Sequence, residues 1–332
     1  MYVHAQAPVR IGIAGGGTDL PAWTKERVGY CLSLAINTYT HTVAIMRPDK
    51  KVVASYRQLD HAACATEIAN GLIRESALMH GWEDSFEVHT LSEISSLGSG
   101  LGVSSSIAVA LAAVFARMTV LQSGCAAEPK WMDGGEPAFK QGVATDAWTV
   151  EIEKLRRPIG RQDHMAAAWG GLRLYRFEGD NAMVERTFSE EDARWIAEHL
   201  CLMQLSEGHD SRAILQNVKS ADQIEAAYDA VDIALKAIEK RSPVMLGEAL
   251  LLGQRSKEQI PGATVATWIP GTRFWPESIE GIYGGKIAGA GGGGHAVIAC
   301  EPSMVEWIRR EQRQSARSVL PDFHGVRSEG WL

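Results

Sequence analysis

The side chains best placed to do chemistry in this sequence are three acids and one arginine, each in an unusual setting. Asp163 lies in Gly160-Arg161-Gln162-Asp163-His164, followed by Ala166, Ala167, Ala168 and Trp169-Gly170-Gly171. A carboxylate among such small residues is either a helix cap or a functional group. Glu151 falls on a helix read over residues 143–156, where Trp148, Ile152 and Leu155 share one face. At about 100° per residue Glu151 lies inside that apolar stripe and Glu153 outside it. An acid on a buried face needs a partner, either a metal ion or a buried arginine. Asp19 closes Gly15-Gly16-Gly17-Thr18-Asp19, as a turn former or as a grip on ligand hydroxyls. Arg10 alternates with Val9 and Ile11 just before that loop, on the open face of a strand or beside an anion.

Two further glycine clusters accompany these groups. Ser96-Leu97-Gly98-Ser99-Gly100-Leu101-Gly102-Val103 runs into Ser104-Ser105-Ser106 and then ten residues, Ile107–Ala116, without a polar side chain. A glycine-rich loop feeding a helix start presents unpaired N–H groups and the positive end of the helix dipole, which suits a phosphate. No lysine follows the glycines, so this is not a GxxxxGK[ST] loop. The last cluster, Gly284–Gly294, contains a literal GxGxxG. A dinucleotide fingerprint opens a helix, whereas His295–Cys300 reads as a strand, which disfavours a nicotinamide-dependent dehydrogenase. A run of glycines and alanines is also a poor solvated linker; it suits a close approach to a substrate or a nucleotide.

The elements that must position these groups follow from periodicity. Residues 1–13 alternate as a half-buried strand. Strands are expected over Leu32–Met46, Val52–Tyr56, Phe86–Leu91, Leu172–Phe177, Leu200–Leu205 and Ala296–Cys300. Helices are expected over 64–81, from Ile107 onward, over 143–156, after Ser220, over Met245–Gln259 and over 302–317, with a short strand closing the chain. Residues 123–142, with Gly124, Pro129, Gly134, Gly135 and Pro137, read as a mobile loop, and the polar segment 178–192 as a domain boundary. Strands and helices interleave without strict βαβ alternation, which favours an α+β fold in two lobes.

Composition narrows the function classes. The chain has 332 residues, 45% hydrophobic and 22% charged, with a net charge of −7. These are values of a soluble globular protein and argue against a generic nucleic-acid or anionic-membrane surface. Cys31, Cys64, Cys125, Cys201 and Cys300 have no metal-ligand spacing and read as reduced thiols of a cytoplasmic protein. The ten-residue apolar run is too short to cross a bilayer, and no export signal is expected.

Taken in order, the three clusters resemble the motifs of the GHMP small-molecule kinases. Ala7-Pro8-Val9-Arg10 with Gly15–Asp19 is similar to their first motif, residues 96–106 to the phosphate loop written PxxxGLGSSxA, and Lys286–Gly294 to the third. The GGGTD form of the first motif is similar to the anomeric sugar kinases. Gly-x-Gln-Asp at 160–163, and Gly208 with Ser211-Arg212, resemble the heptose 7-phosphate kinases of that group, while Ser106-Ile107 resembles fucose kinases. The resemblance spans essentially the whole chain. It implies an S5-like N-terminal lobe over 1–185 and a ferredoxin-like lobe over 186–332, with the site between them. It implies ATP and Mg²⁺, a sugar-phosphate acceptor phosphorylated at its anomeric hydroxyl, and a monomer or homodimer.

Residue by residue, the resemblance implies that Gly98, Ser99, Gly100, Leu101, Gly102, Val103, Ser104, Ser105 and Ser106 bind ATP. Asp163 would be the base, with Arg10 beside it. Ser104 or Ser105 with Glu151 would hold Mg²⁺. Gly16, Gly17, Thr18, Asp19, Arg212, Gly291 and Gly292 would bind the acceptor. Lys25, Arg161, Arg173 and Arg212 are candidates for its phosphate. Three positions depart from the family pattern: Ser96 in place of proline, Val103 in place of the first serine, and His164 in place of a glutamine. A catalytically silent binding protein on the same fold is the reading of another class; it is disfavoured because Arg10, Asp19, Glu151 and Asp163 are all present.

Overall fold

The alternation of Val3, Ala5, Ala7, Val9, Ile11 and Ile13 becomes a single strand, β1 (Tyr2–Ala14), in the computed structural model, and all six side chains are fully buried. The structure describes residues 1–94, 98–123, 135–205, 211–264, 279–312 and 316–331. In chain order β1 is followed by α1 (Pro21–Thr24), β2 (Gly29–Met46), β3 (Val52–Ser55), β4 (Leu59–Ala62), α2 (Gly71–Met79), β5 (Phe86–Ser92), α3 (Val103–Ser123), α4 (Gly135–Trp148), α5 (Gln162–Trp169), β6 (Leu172–Glu178) and β7 (Asn181–Thr187). Then come α6 (Glu190–Glu198), β8 (Leu200–Gln204), α7 (Ser211–Leu215), α8 (Glu225–Lys240), α9 (Pro243–Glu258), β9 (Ile282–Ile287), β10 (His295–Cys300), α10 (Met304–Gln312), β11 (Ala316–Ser318) and β12 (Arg327–Trp331).

Two sheets organise the molecule. One runs β12-β1-β2-β5-β3-β4, with β6 on β2 and β7 on β6; the other runs β11-β8-β10-β9. Opposite Pro8 and Val9 the pairing slips, because Pro8 faces Tyr39 while Val9 faces Ile36. That bulge divides β1 between two cores. Val3, Ala5 and Ala7 join the cluster formed with α3, α4 and α5, whereas Val9, Ile11 and Ile13 join the cluster formed with α6, α8, α9 and the second sheet. Bulges commonly re-aim side chains beside functional sites, and Arg10 sits immediately after this one.

Helix α3 is the axis of the first core. By length and composition it could cross a bilayer, but 78% of its apolar window is buried inside the fold. Its packing against β1, β2, α4 and α5 accounts for its unbroken apolar run.

Several boundaries differ from the sequence expectations. Residues 135–142 are helical, within α4, rather than part of a loop; residues 124–134 lie outside the described residues. Gly135 and Pro137 fall in the first turn of α4, where a proline's missing N–H is not needed. The helix read over 143–156 ends at Trp148 and widens into a π-helical turn, Thr149–Lys154. The helix read over 64–81 is a short 3₁₀ turn, Ala65–Glu67, followed by α2. Segment 178–192 carries β7, which pairs antiparallel with β6, and β12 returns to pair with β1. The first sheet is therefore built from both ends of the chain. Cys31, Cys201 and Cys300 are buried, Cys64 is half-buried, and all four are free thiols; Cys125 lies outside the described residues.

Candidate active site

Gly98, Gly100 and Gly102 adopt φ values of 55°, 76° and 75°, the left-handed region in which glycine carries no penalty. They turn the chain into the first turn of α3, whose leading N–H groups have no intrahelical partner. Ser96 and Leu97 lie outside the described residues. A Cβ at Gly100 would stand 2.6 Å from the Ala288 carbonyl oxygen. A Cβ at Gly294 would stand 2.1 Å from that of Gly98, and His295 Nδ1 lies 2.9 Å from the Ser99 oxygen. The third glycine cluster is thus the wall against which the glycine loop 98–102 is seated. Gly284–Ile287 of that cluster belong to β9.

The hydroxyls after the loop have separate partners. Val103 is buried, and the two serines behind it turn to Glu151. Ser104 Oγ donates to Glu151 Oε1 at 2.6 Å, and Ser105 Oγ to Oε2 at 2.8 Å. Ser106 Oγ instead donates to the Ala7 carbonyl at 2.8 Å, which makes it a link between α3 and β1. Leu101 is fully buried, and its carbonyl accepts from Arg10 N at 3.0 Å.

Glu151 stands in the π-helical turn and is fully buried, as its place on the apolar stripe suggested. Besides the two serines it receives His164 Nε2 at 2.8 Å and the Arg157 guanidinium. Arg157 Nη1 also donates to Ser104 Oγ at 2.8 Å. Burial alone would push the Glu151 carboxyl upward; the His164 hydrogen bond, the charges of His164 and Arg157 and the Ser104 bond outweigh it and hold it at about 2. Of the two partners read for Glu151, the structure shows the arginine, Arg157. A carboxylate and two hydroxyls form a hard-oxygen set suited to Mg²⁺, and Arg157 on those oxygens shows that the cluster attracts a cation.

Arg10 and Asp163 form the centre of the site. Arg10 Nε and Nη2 approach Asp163 Oδ1 at 2.7 and 2.6 Å, and Nη1 donates to the Gly100 carbonyl at 2.6 Å. The Asp163 side chain keeps 28% of its surface exposed against 5% for Arg10, so the carboxylate is the part that faces the cleft. Asp163 sits in the first turn of α5 and does not cap it. Asp19 takes that place from a distance, its Oδ2 accepting from Gln162 N at 2.9 Å. Burial and the Asp163 charge raise the Asp19 pKa.

Arg10, Asp19, Glu151 and Asp163 all line one cleft of about 440 Å³, together with Gly16, Gly17, Gly98–Gly100, Gly102–Ser105 and Gln162. Three expected acceptor contacts differ. Thr18 is buried, and its hydroxyl donates to the Gly15 and Tyr30 carbonyls, both at 2.9 Å; it staples the loop rather than facing the cleft. Gly291 and Gly292 turn toward Ala263, whose carbonyl accepts from Gly292 N at 2.7 Å; Gly289 and Ala290 take their place in the lining.

Of the basic candidates, Lys25 is exposed and away from the lining. Arg161 pairs with Asp180, and Arg173 bonds the Gly170 carbonyl and Thr187. The side chain of Arg212 lies outside the described residues. Among the described residues, the cations that do line the cleft besides Arg10 are Arg157, Lys257 and Lys286. Lys257 was findable: Leu246, Leu250, Gly253 and Lys257 share the buried stripe of α9, the same signal that marks Glu151. Arg157 follows a helix end and carries no periodic signal.

The three motifs that resemble those of the GHMP kinases thus meet around one cleft. The chain has their fold: it superposes over 99% of its length on a D-glycero-D-manno-heptose 1-phosphate kinase from Bacteroides thetaiotaomicron, covering 99% of that chain with a TM-score of 0.75 at 17% identity. It also superposes on Lactococcus lactis galactokinase complexed with galactose, covering 98% and 95% of the two chains with a TM-score of 0.72 at 16% identity. In sequence it is similar to the D-glycero-alpha-D-manno-heptose 7-phosphate kinase of Campylobacter jejuni, 27% identical over 338 residues that cover 93% of this chain and 94% of that one. No family model matches the chain. In fold the chain is thus like the GHMP kinases, and in sequence it is similar to a heptose-phosphate kinase.

Two predictions follow from the geometry. The Glu151 carboxyl titrates at about 2 in the fold against an ordinary 4.5. Its stabilising contribution is therefore full above pH 4.5 and is lost as pH falls toward 2, a loss of roughly 3 kcal/mol. Urea unfolding of the wild type should show this fall, and Glu151→Gln should flatten it; equal slopes would remove Glu151 as the source. Gly100→Ala, at φ 76° with Ala288 oxygen 2.6 Å away, should raise the KM for ATP by about tenfold or more, measured by ADP release.

Proposed function

We propose that the chain transfers the γ-phosphoryl group of ATP to the anomeric hydroxyl of D-glycero-D-manno-heptose 7-phosphate, giving the 1,7-bisphosphate. The observation that carries this reading is the position of Asp163, held by Arg10 between the phosphate loop and the acceptor loop. The name and coverage of the C. jejuni relative support the choice of sugar. The residues of lobes 1–185 and 186–332 would enclose the two substrates. The product would serve nucleotide-activated heptose for capsule or lipopolysaccharide, made in the cytoplasm.

In this mechanism the loop 98–102 and the first turn of α3 bind the nucleotide phosphates through backbone N–H groups. Phosphoryl transfer asks the protein mainly for positioning and charge neutralisation. Ser104, Ser105 and Glu151 would hold Mg²⁺, which neutralises phosphate charge when bound. Asp163 accepts the proton of the sugar hydroxyl as its oxygen bonds to phosphorus and the bond to the leaving ADP oxygen breaks. Arg10 keeps that carboxylate in place and offers positive charge to the phosphoryl group in flight. Gly16, Gly17 and Asp19 form the acceptor wall.

Phosphorus NMR of the products from ATP and a panel of sugars tests substrate and position together. The expected result is a new anomeric phosphate signal from heptose 7-phosphate, with weak or no signal from fucose, mannose or galactose. Preferential phosphorylation of a free hexose would overturn the assignment. Asp163→Asn should retain ATP binding by calorimetry and lower kcat by roughly 10²–10⁴; near-normal turnover would show that another group takes the proton.

A further inference from the structure

Two lysines on the cleft wall take no part in the transfer just described. Lys257 on α9 is 8% exposed and Lys286 on β9 is 4% exposed. Lys286 Nζ donates to the Ile13 carbonyl at 2.9 Å. Neither amine has a carboxylate partner among the described residues; Arg10 acts on Lys257, and Lys257, Arg10 and the Cys31 thiol act on Lys286. Burial, then the Arg10 charge, pulls Lys257 down to about 8, and burial pulls Lys286 well below its ordinary value. The Arg10 charge is already balanced by Asp163. Two buried amines therefore stand beside the reaction centre with no carboxylate among the described residues to balance their charge, so that the charged forms are unfavourable unless a ligand supplies an anion.

The fold makes deliberate room for the pair. A Cβ at Gly253, one turn before Lys257 on α9, would stand 3.2 Å from Lys286 Cδ and 3.4 Å from its Nζ. The end of α9 is also tied to the acceptor side of the cleft. Ser256 Oγ donates to the Gln223 carbonyl at 2.8 Å, and the neighbouring Ile224 packs over Gly17, its Cγ2 lying 3.0 Å from a Cβ built there. The nucleotide side has its own donors in the glycine loop and the first turn of α3. A compact ammonium suits a phosphate monoester.

We propose that Lys257 and Lys286 form a second phosphoryl-binding subsite, on the acceptor side of the cleft, that receives the acceptor's own phosphate monoester. This rests on the reading of the acceptor as a sugar phosphate. The subsite makes the two lysines selectors of phosphorylated over free sugar.

Steady-state kinetics of Lys257→Met and Lys286→Met, with heptose 7-phosphate, the unphosphorylated heptose and ATP varied separately, test it. The expected result is a KM for heptose 7-phosphate raised by about tenfold or more, a KM for ATP changed less than about twofold, and a lower preference for the phosphorylated sugar. Lys257→Arg should restore most of the affinity. A rise in the KM for ATP with that for heptose 7-phosphate unchanged would assign the lysines to the nucleotide instead and overturn the proposal, as would equal losses on both sugars. A second readout needs no turnover. Inorganic phosphate titrated calorimetrically into enzyme saturated with a non-hydrolysable ATP analogue should bind the wild type and bind Lys257→Met about tenfold more weakly or not at all; equal binding sinks the subsite. If the wild type leaves heptose 7-phosphate unphosphorylated, the choice of sugar fails, while the phosphate titration still decides the role of Lys257.

Discussion

The buried guanidinium of Arg10 is the constraint to which the rest of the site is referred. It is 4% exposed, so its donors must find partners inside the protein. They find Asp163 on α5 and the Gly100 carbonyl on the phosphate loop. One side chain from β1 thereby fixes the distance between the Asp163 carboxylate and the glycine loop. Removing Asp163 would leave the buried Arg10 charge without its carboxylate partner, an unfavourable state. The bulge at Pro8 and Val9 turns the strand just ahead of it, so the distortion in the sheet and the position of the cation belong together.

Around this centre one wall of the cleft is built from glycine backbone and another from a cluster of side chains. Glycines 98, 100 and 102 bring the loop against Ala288 and Gly294 at distances no Cβ would tolerate. Opposite them, Glu151 gathers Ser104, Ser105, His164 and Arg157 into a cluster in which every partner offers a proton. His164, a departure from the family pattern, makes chemical sense there: its Nε2 reaches the carboxylate oxygen left over by Ser104 and Arg157.

The α+β architecture and most of the acids were legible in the sequence because each left a local mark. Glu151 interrupted an apolar stripe, and Asp19 and Asp163 stood beside glycines that let neighbours approach. Gly160 illustrates the point, since a Cβ there would lie 1.9 Å from Asp19 Oδ2. What escaped was non-local. No periodicity tells that Thr18 bonds carbonyls at Gly15 and Tyr30, or that Gly291 and Gly292 turn to Ala263 while Gly289 faces the cleft. The π-helical turn at Thr149–Lys154 and the pairing of β1 with β12 arise from tertiary packing. Lys257 lies between these cases: its stripe on α9 is visible, but its partner Lys286 comes from a different strand.

The pairing of β12 with β1 also bears on how the protein is made. Tyr2–Gln6 leave the ribosome more than three hundred residues ahead of their partners Arg327–Trp331. Until then one edge of β1 offers unpaired N–H and C=O groups, the kind of edge that recruits strands from other chains. During synthesis the N-terminal sheet is thus a template awaiting its last strand, and its completion is an event in time as well as a contact in space.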